Sequence, residues 1–290
     1  MAASGAGGIS RSSLLLHEWL CLGFFVWMLA QLAFAAGFPN SNAVIFALLL
    51  AANCALVYFL PHGDNRDLGW RLRLLFYPVA MNLLYFLLGT AIPAVHPARE
   101  DAALQAVDRV LIGTNLSLRM EPWVHPVLTD IFSFCYMLYF LYLILGQFAY
   151  LFGDLAVLKK YYAGLFSLYA LGYFGYSLVP ALGPYVAMSD QFSVPLGGGW
   201  LAALNEKIVL SGTNGVDVFP SLHCGNALYI LLSDYQHKRW RFWAYLIPCV
   251  GLWLSTLYLR YHYFIDVVCG LLLGWLAWKL ANRYLKEQPA

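Results

Sequence analysis

Charged side chains are scarce in this chain. Only 11% of its 290 residues are charged, whereas 61% are apolar and the mean hydropathy is +0.66. Soluble domains are typically about a quarter charged and about half apolar. The low charge therefore excludes an ordinary soluble domain and predicts an integral membrane protein.

An excess of one sign of charge is also missing. The formal net charge is only +2, which gives none of the basic surface that a nucleic-acid-binding protein needs. The six cysteines are dispersed and form no Cys-x-x-Cys pair, so we interpret them as small core residues and expect neither a disulfide framework nor a zinc site. No carboxylate cluster suits Mg²⁺ either. The sequence predicts no metal and no cofactor.

Long uncharged runs dominate what is present. A bilayer core requires about 20 mostly apolar residues per helix, and eight runs meet this need: 14–36, 42–60, 73–92, 127–152, 160–180, 218–235, 242–259 and 264–281. The prediction is an all-α polytopic bundle of about eight transmembrane helices. No repeat or charged linker divides it. We divide the continuous membrane domain into N-terminal transmembrane helices, 1–92, and a second part, 93–290, which contains the remaining runs.

The first run contains Ala33-Phe34-Ala35, which resembles a signal-peptidase site. The run is longer than a usual signal sequence, so we expect an uncleaved first helix. With eight spans, one side of the membrane receives twelve lysines and arginines and the other side five. The positive-inside rule therefore places both termini in the cytoplasm. It places the segments 93–126 and 181–217 outside.

The two outer segments differ in pattern. From Asp101 to Leu118, apolar residues recur at helical spacing, which predicts either a helix in the membrane interface or a solvated helix packed on the protein. The segment 181–217 is rich in Gly and Pro. It is typical of a shaped loop or lid over the membrane surface.

The first chemical motif is FPSLHCGNA, residues 219–227. Pro220 suits a first helical turn and Asp217 could cap it. His223 would then lie at a helix N-terminus, where free N–H groups favour phosphate. By itself, a histidine at a helix end is more often a simple interfacial residue.

The second motif is RYHYFID, residues 260–266. His262 and Asp266 are four residues apart, so on a helix the carboxylate could hold the imidazole in one tautomer. A carboxylate near membrane depth is costly unless it is partnered or functional. An isolated pair of this kind is often structural, but both motifs fall at helix mouths on the same predicted face. We therefore expect His223, His262 and Asp266 to meet in one outward-facing site.

Together the motifs resemble the type 2 phosphatidic acid phosphatase superfamily, whose second motif centres on Ser-x-His and whose third ends in His-x-x-x-Asp-x-x-x-Gly. Here these are Ser221 to His223 and His262 to Gly270. The sequences around both motifs are more similar to the branch that contains inositol phosphorylceramide synthase. The resemblance covers about residues 105–280 and implies a six-helix lipid-phosphatase-type core. The family's first motif is not recognisable, and Tyr185 and Thr256 occupy positions where arginines are usual.

The resemblance implies that His262 attacks a lipid phosphorus, that Asp266 orients it, and that His223 serves as acid and then base, through a phosphohistidine. Ser221, Arg260 and Tyr185 are the candidate substrate-binding residues. Partners would be a phospholipid or lipid-phosphate donor and a lipid or polyol hydroxyl acceptor, or water. The active site would face the periplasm, a lumen or the cell exterior.

Three functions stay open at this point. The first is a phosphotransferase that moves a phosphoryl-linked head group to a hydroxyl acceptor, as in sphingolipid metabolism. The second is a hydrolase of the same superfamily, a lipid-phosphate or polyprenyl-phosphate phosphatase. The third is a transporter or membrane scaffold, although transporters tend to show repeats and broken helices, and neither is visible here.

Overall fold

A computed structural model of the protein describes residues 14–37, 39–60 and 66–284. Within these ranges the chain is all-helical and has no strand. This confirms the predicted fold class. Arg11 and Lys286, two of the twelve basic residues counted for orientation, fall outside the described residues. So does Phe38, in the sequence Gly37-Phe38-Pro39-Asn40 that predicts a turn between the first two helices.

Twelve α-helices follow one another in the described ranges, with short 3₁₀ turns at Glu121–Trp123 and Ser189–Gln191. They are α1 (Leu16–Ala35), α2 (Ser41–Phe59), α3 (Arg66–Val95), α4 (Asp101–Ile112), α5 (Leu116–Arg119), α6 (Pro126–Leu151), α7 (Leu155–Leu178), α8 (Pro184–Ala187), α9 (Trp200–Gly212), α10 (Leu222–His237), α11 (Arg239–Tyr258) and α12 (Phe264–Tyr284).

All eight predicted apolar runs are helical. By length and composition, α1, α2, α3, α6 and α12 could cross a membrane. The other three runs correspond to α7, α10 and α11. The 16 residues of α10 span only about 24 Å at 1.5 Å per residue. Much of α7 and α10 is buried against neighbouring helices, so these two helices form the interior of the bundle.

The central helix of the bundle is α7, which packs against α1 and α3 on one side and against α10 and α12 on the other. The helices α6 and α11 pack together and also contact α10. Two buried ion pairs also connect helices. Arg73 of α3 pairs with Glu18 of α1, and Arg241 of α11 pairs with Asp234 of α10. Asp234 also accepts hydrogen bonds from two tyrosine hydroxyls. Such partners are what a buried charge requires.

The two outer segments differ from the sequence-based expectation in opposite ways. The predicted helix from Asp101 ends earlier, at Ile112, because Gly113 adopts a left-handed conformation with φ 78°. The supposed loop 181–217 contains α9, thirteen residues long. Asp130 of α6 accepts hydrogen bonds from the backbone N–H groups of Gly199 and Ala202, both at 2.9 Å. These bonds cap α9 with a side chain from a distant helix. No local sequence pattern predicts this cap.

Candidate active site

The first histidine lies in the first turn of α10. Ser221 is the N-cap of this helix, and its hydroxyl accepts a hydrogen bond from the Cys224 N–H at 3.4 Å. The helix begins at Leu222, so the expectation that Pro220 lies in its first turn and that Asp217 caps it was wrong. His223 Nε2 shares a hydrogen bond of 3.1 Å with the Tyr136 hydroxyl.

The second histidine lies in the tight connection between α11 and α12. Arg260 has a positive φ of 66°, and the N–H groups of Tyr261 and His262 both donate to the Thr256 carbonyl. His262 thus precedes α12 instead of lying within it as the sequence suggested. Its Nδ1 nevertheless lies 3.6 Å from Asp266 Oδ2. That oxygen accepts a hydrogen bond from the Tyr263 N–H at 2.9 Å.

The two motifs meet because α10 and α12 approach closely. The imidazole centroids of His223 and His262 are 5.8 Å apart. Behind them, the Ser221 N–H donates to the Asp266 carbonyl at 3.1 Å. Gly270 leaves no room for a side chain between the two helices, since a Cβ there would overlap Ser221. The spacing of the histidines is therefore set by backbone contact.

Two carboxylates of α4 hold the loops around the site. Asp108 accepts hydrogen bonds from the N–H groups of Phe264 and Ile265, at 2.9 and 3.0 Å, and so caps α12. Burial raises the pKa of Asp108, and these two bonds oppose that rise. Asp101 accepts hydrogen bonds from the Gly183 N–H and the Tyr263 hydroxyl, both at 2.9 Å. Sequence reasoning assigned neither role.

A cavity of about 260 Å³ opens in front of the histidines. His223, His262 and Asp217 line it, together with residues of α3, α6, α7 and α9. Its most frequent lining residue is tyrosine, at eight positions: Tyr85, Tyr136, Tyr139, Tyr169, Tyr173, Tyr176, Tyr185 and Tyr261. Among the described residues, neither a lysine nor an arginine lines it. The described part of the wall is aromatic and lacks cations.

Of the three predicted substrate-binding residues, only Tyr185 lines this cavity. Ser221 is fully buried in its capping role. The Arg260 guanidinium donates to the Val194 carbonyl at 2.6 Å and lies over the Phe192 ring. It is directed towards the outer segment, so the structure does not place it where it could offset the charge of a phosphate.

Asp217 is the lining residue whose place the sequence did not indicate. Its carboxylate accepts a hydrogen bond from the Tyr85 hydroxyl and another, at 2.9 Å, from the Thr213 hydroxyl. Tyr85 belongs to α3, 132 positions earlier in the chain. The only local signal was the proximity of Asp217 to the histidine motif.

Burial also sets the charge state of the second histidine. It lowers the pKa of His262 to about 4, although the Asp217 charge and the Val218 backbone act in the opposite direction. His262 is therefore neutral near pH 7, which is the form that can attack a phosphorus atom. Within the described ranges, no group of histidine, cysteine and carboxylate side chains is arranged to hold a metal ion.

The residues around this site also match a known family over most of the chain. The model of the PAP2 superfamily matches residues 102–280, from α4 into α12. The chain belongs to the PAP2 superfamily. It is thus a membrane enzyme of the phosphatase and phosphotransferase type that acts on phosphate esters. The match contains both histidine motifs of this PAP2 protein and leaves α1 to α3 outside. No curated protein and no solved structure matches the chain.

Proposed function

We propose that this PAP2 enzyme is a lipid phosphotransferase that moves a phosphoryl-linked head group from a phospholipid to a hydroxyl acceptor. The observation that carries the proposal is the absence of lysine and arginine from the described wall of the cavity. A phosphomonoester carries nearly two negative charges, and burying them without cations is costly. A phosphodiester carries only one. The wall therefore favours a phosphodiester donor over the substrate of a simple phosphatase.

The chemistry follows from the positions of three side chains. Nε2 of neutral His262 attacks the donor phosphorus, a P–N bond forms, and the P–O bond to the diacylglycerol breaks. His223 gives its proton to the departing oxygen. Asp266, 3.6 Å from His262 Nδ1, favours the tautomer with a proton on that atom and stabilises the imidazolium.

The second half reverses the roles. The hydroxyl of an acceptor attacks the phosphorus, its proton passes to His223, and the P–N bond breaks. The head group leaves as a new phosphodiester and His262 is regenerated. Without cations, the phosphate oxygens are stabilised by tyrosine hydroxyls such as that of Tyr136 and by the free N–H groups at the start of α10.

An apolar groove beside the cavity is suited to the hydrocarbon chain of a lipid substrate. It has a volume of about 450 Å³ and lies between α3, α6 and α7. Asn82 and Phe86 line both the groove and the cavity, so the two are neighbours. Val79 and Leu83 line the groove and are 56% and 58% exposed. In a bilayer they face the lipid, and a hydrocarbon chain in the groove would place the attached head group near the histidines.

The test is product identification with purified protein and labelled phospholipids. Each donor is incubated with ceramide, diacylglycerol or inositol, and with water alone, in parallel with His262→Ala. The proposal expects a head-group product that requires a hydroxyl acceptor and is absent from the variant. Release of inorganic phosphate from phosphatidic acid or a polyprenyl phosphate, at a rate that no acceptor increases, would show a phosphatase instead.

A further inference from the structure

The carboxylate of Asp217 is unusual in the wall of a phosphate-binding cavity. Its described hydrogen-bond partners are two neutral hydroxyls, those of Tyr85 and Thr213. It lines the same cavity as His262, the residue proposed to attack the phosphorus, and its charge opposes the lowering of the His262 pKa by burial. An anion facing an anionic substrate would weaken binding unless the substrate also brought a positive charge.

The surroundings of Asp217 suit such a charge. Asp217 lines the cavity together with Tyr85, whose hydroxyl donates to it, and with the phenols of Tyr136, Tyr176 and Tyr185. Tyr185 packs edge-to-face against Tyr261, with ring centroids 5.8 Å apart. Aromatic faces attract ammonium groups, and clusters of such rings are a recurrent means of binding quaternary ammonium ions.

We infer that the cavity recognises a phosphodiester head group that carries an ammonium, with the ammonium held by Asp217 and the neighbouring tyrosines. The inference rests on the function proposed above and names the class of its donor. A choline or ethanolamine phosphodiester is zwitterionic and adds no net charge to a wall that already holds one carboxylate. An inositol phosphodiester adds one negative charge, and a phosphatidic acid adds nearly two. The order of preference among donors should follow this order of charge.

A different role for Asp217 makes a different prediction. If its carboxylate accepted the proton of the attacking hydroxyl, its loss would slow turnover for every donor alike. If it binds the ammonium, its loss raises the KM of ammonium donors, and the KM of inositol donors stays the same or falls. The two roles can therefore be separated by comparing donors within one variant.

The experiment measures kcat and KM in mixed micelles for lipids with choline, ethanolamine, inositol and bare phosphate head groups of one acyl composition. The proteins are the wild type, Asp217→Asn, and Asp190→Asn as a matched loss of an exposed acid outside the cavity. Expected is a wild-type preference for the two ammonium donors. In Asp217→Asn their KM rises about tenfold, the effect of about 1.4 kcal/mol, while the KM for the inositol donor does not rise. Asp190→Asn behaves as the wild type.

A second measurement uses only the wild type, so it tests the inference even if Asp217→Asn folds poorly. Glycerophosphocholine should inhibit the wild type competitively, and glycerophosphoinositol should not at the same concentration. Preference for the inositol or phosphatidic acid donor, or an equal fall of kcat for all donors in Asp217→Asn, would overturn the inference and leave head-group transfer intact. Release of phosphocholine to water at the full rate without an acceptor would overturn transfer and leave ammonium recognition intact.

Discussion

Gly270 of α12 lies against the backbone of Ser221, so closely that a methyl group in place of its hydrogen would overlap the Ser221 carbonyl oxygen. Ser221 is the cap of the helix that carries His223, and Gly270 follows Asp266 by one helical turn. This contact sets the distance between His223, the proposed acid and base, and His262, the proposed nucleophile. Gly270 therefore has a packing role on which the proposed catalysis depends.

Gly270→Ala should consequently separate the two motifs. The backbone carbonyl of Ser221 cannot move aside as a flexible side chain could. We therefore expect Gly270→Ala to lower stability by about 1–3 kcal/mol and to lower kcat. The measurements are thermal unfolding in detergent and turnover of the best donor. Gly23→Ala on α1 is the control, because nothing lies within 4 Å of its added Cβ. Equal effects of the two substitutions would contradict the proposed role of the contact.

His262→Ala should abolish turnover, because the attacking nitrogen is gone. Asp266→Asn should retain a residual rate, reduced by about 10²–10⁴-fold, since the nucleophile survives without its orienting carboxylate. The assay compares variants of matched monodispersity in detergent. His237→Ala, which removes an exposed histidine at the other end of α10, should keep the wild-type rate. Full activity of His262→Ala would eliminate the assigned nucleophile.

The proximity of His223 and His262 could be predicted from the sequence, because hydropathy and the distribution of basic residues predict which helix ends share a side of the membrane. The roles of Asp101 and Asp108 could not be predicted, because their partners lie 81 to 162 positions away and all but the Tyr263 hydroxyl are backbone N–H groups. Carboxylates that bind backbone leave no pattern in the sequence of the partner.

Arg260 illustrates a different limit. As a cation beside His262 it was a candidate for phosphate binding, but its backbone is left-handed and its guanidinium donates to the Val194 carbonyl. A backbone of this kind is decided by the packing of the connection between two helices, which periodicity does not report. Asp217 was misjudged for a similar reason, because its partner Tyr85 comes from α3, outside the matched family range.

The low pKa of His262 has a consequence for acid stability. Its folded-state pKa of about 4 lies below the ordinary value of 6.5. Between these values the unfolded chain binds more protons than the folded one, so stability must decrease as pH falls from 6.5 to 4. His262→Gln removes this titration. Thermal unfolding of the wild type should therefore show a steeper loss over that interval than the variant. Parallel curves would show that His262 is not buried in its neutral form.

The groove between α3 and α6 can be tested by filling it. Val79→Trp places a large ring among its lining residues and should raise KM for long-chain donors while sparing water-soluble short-chain donors. Leu48→Trp on α2 is the matched control, since Leu48 is exposed and lines neither the groove nor the cavity. An equal loss with both chain lengths would mean that the tryptophan disturbs the fold and that the groove holds no substrate chain.

The last prediction concerns the intermediate. The proposed chemistry is carried by two imidazoles, and the described residues contain no cluster suited to a metal ion, so turnover should survive chelation by EDTA. With a donor and no acceptor, the wild type should accumulate an acid-labile adduct on His262, formed as the diacylglycerol departs. His262→Ala should form none. With two substrates the initial rates should follow a ping-pong pattern, because the first product leaves before the acceptor reacts.

Activity lost in EDTA and restored by Mg²⁺ or Mn²⁺, with no adduct trapped at any time, would replace the covalent route with a metal-assisted one. If the adduct forms and water discharges it as fast as any hydroxyl acceptor does, the nucleophile stands and the enzyme is a phosphatase-type hydrolase. A discharge that depends on a lipid or polyol hydroxyl would leave head-group transfer as the remaining explanation.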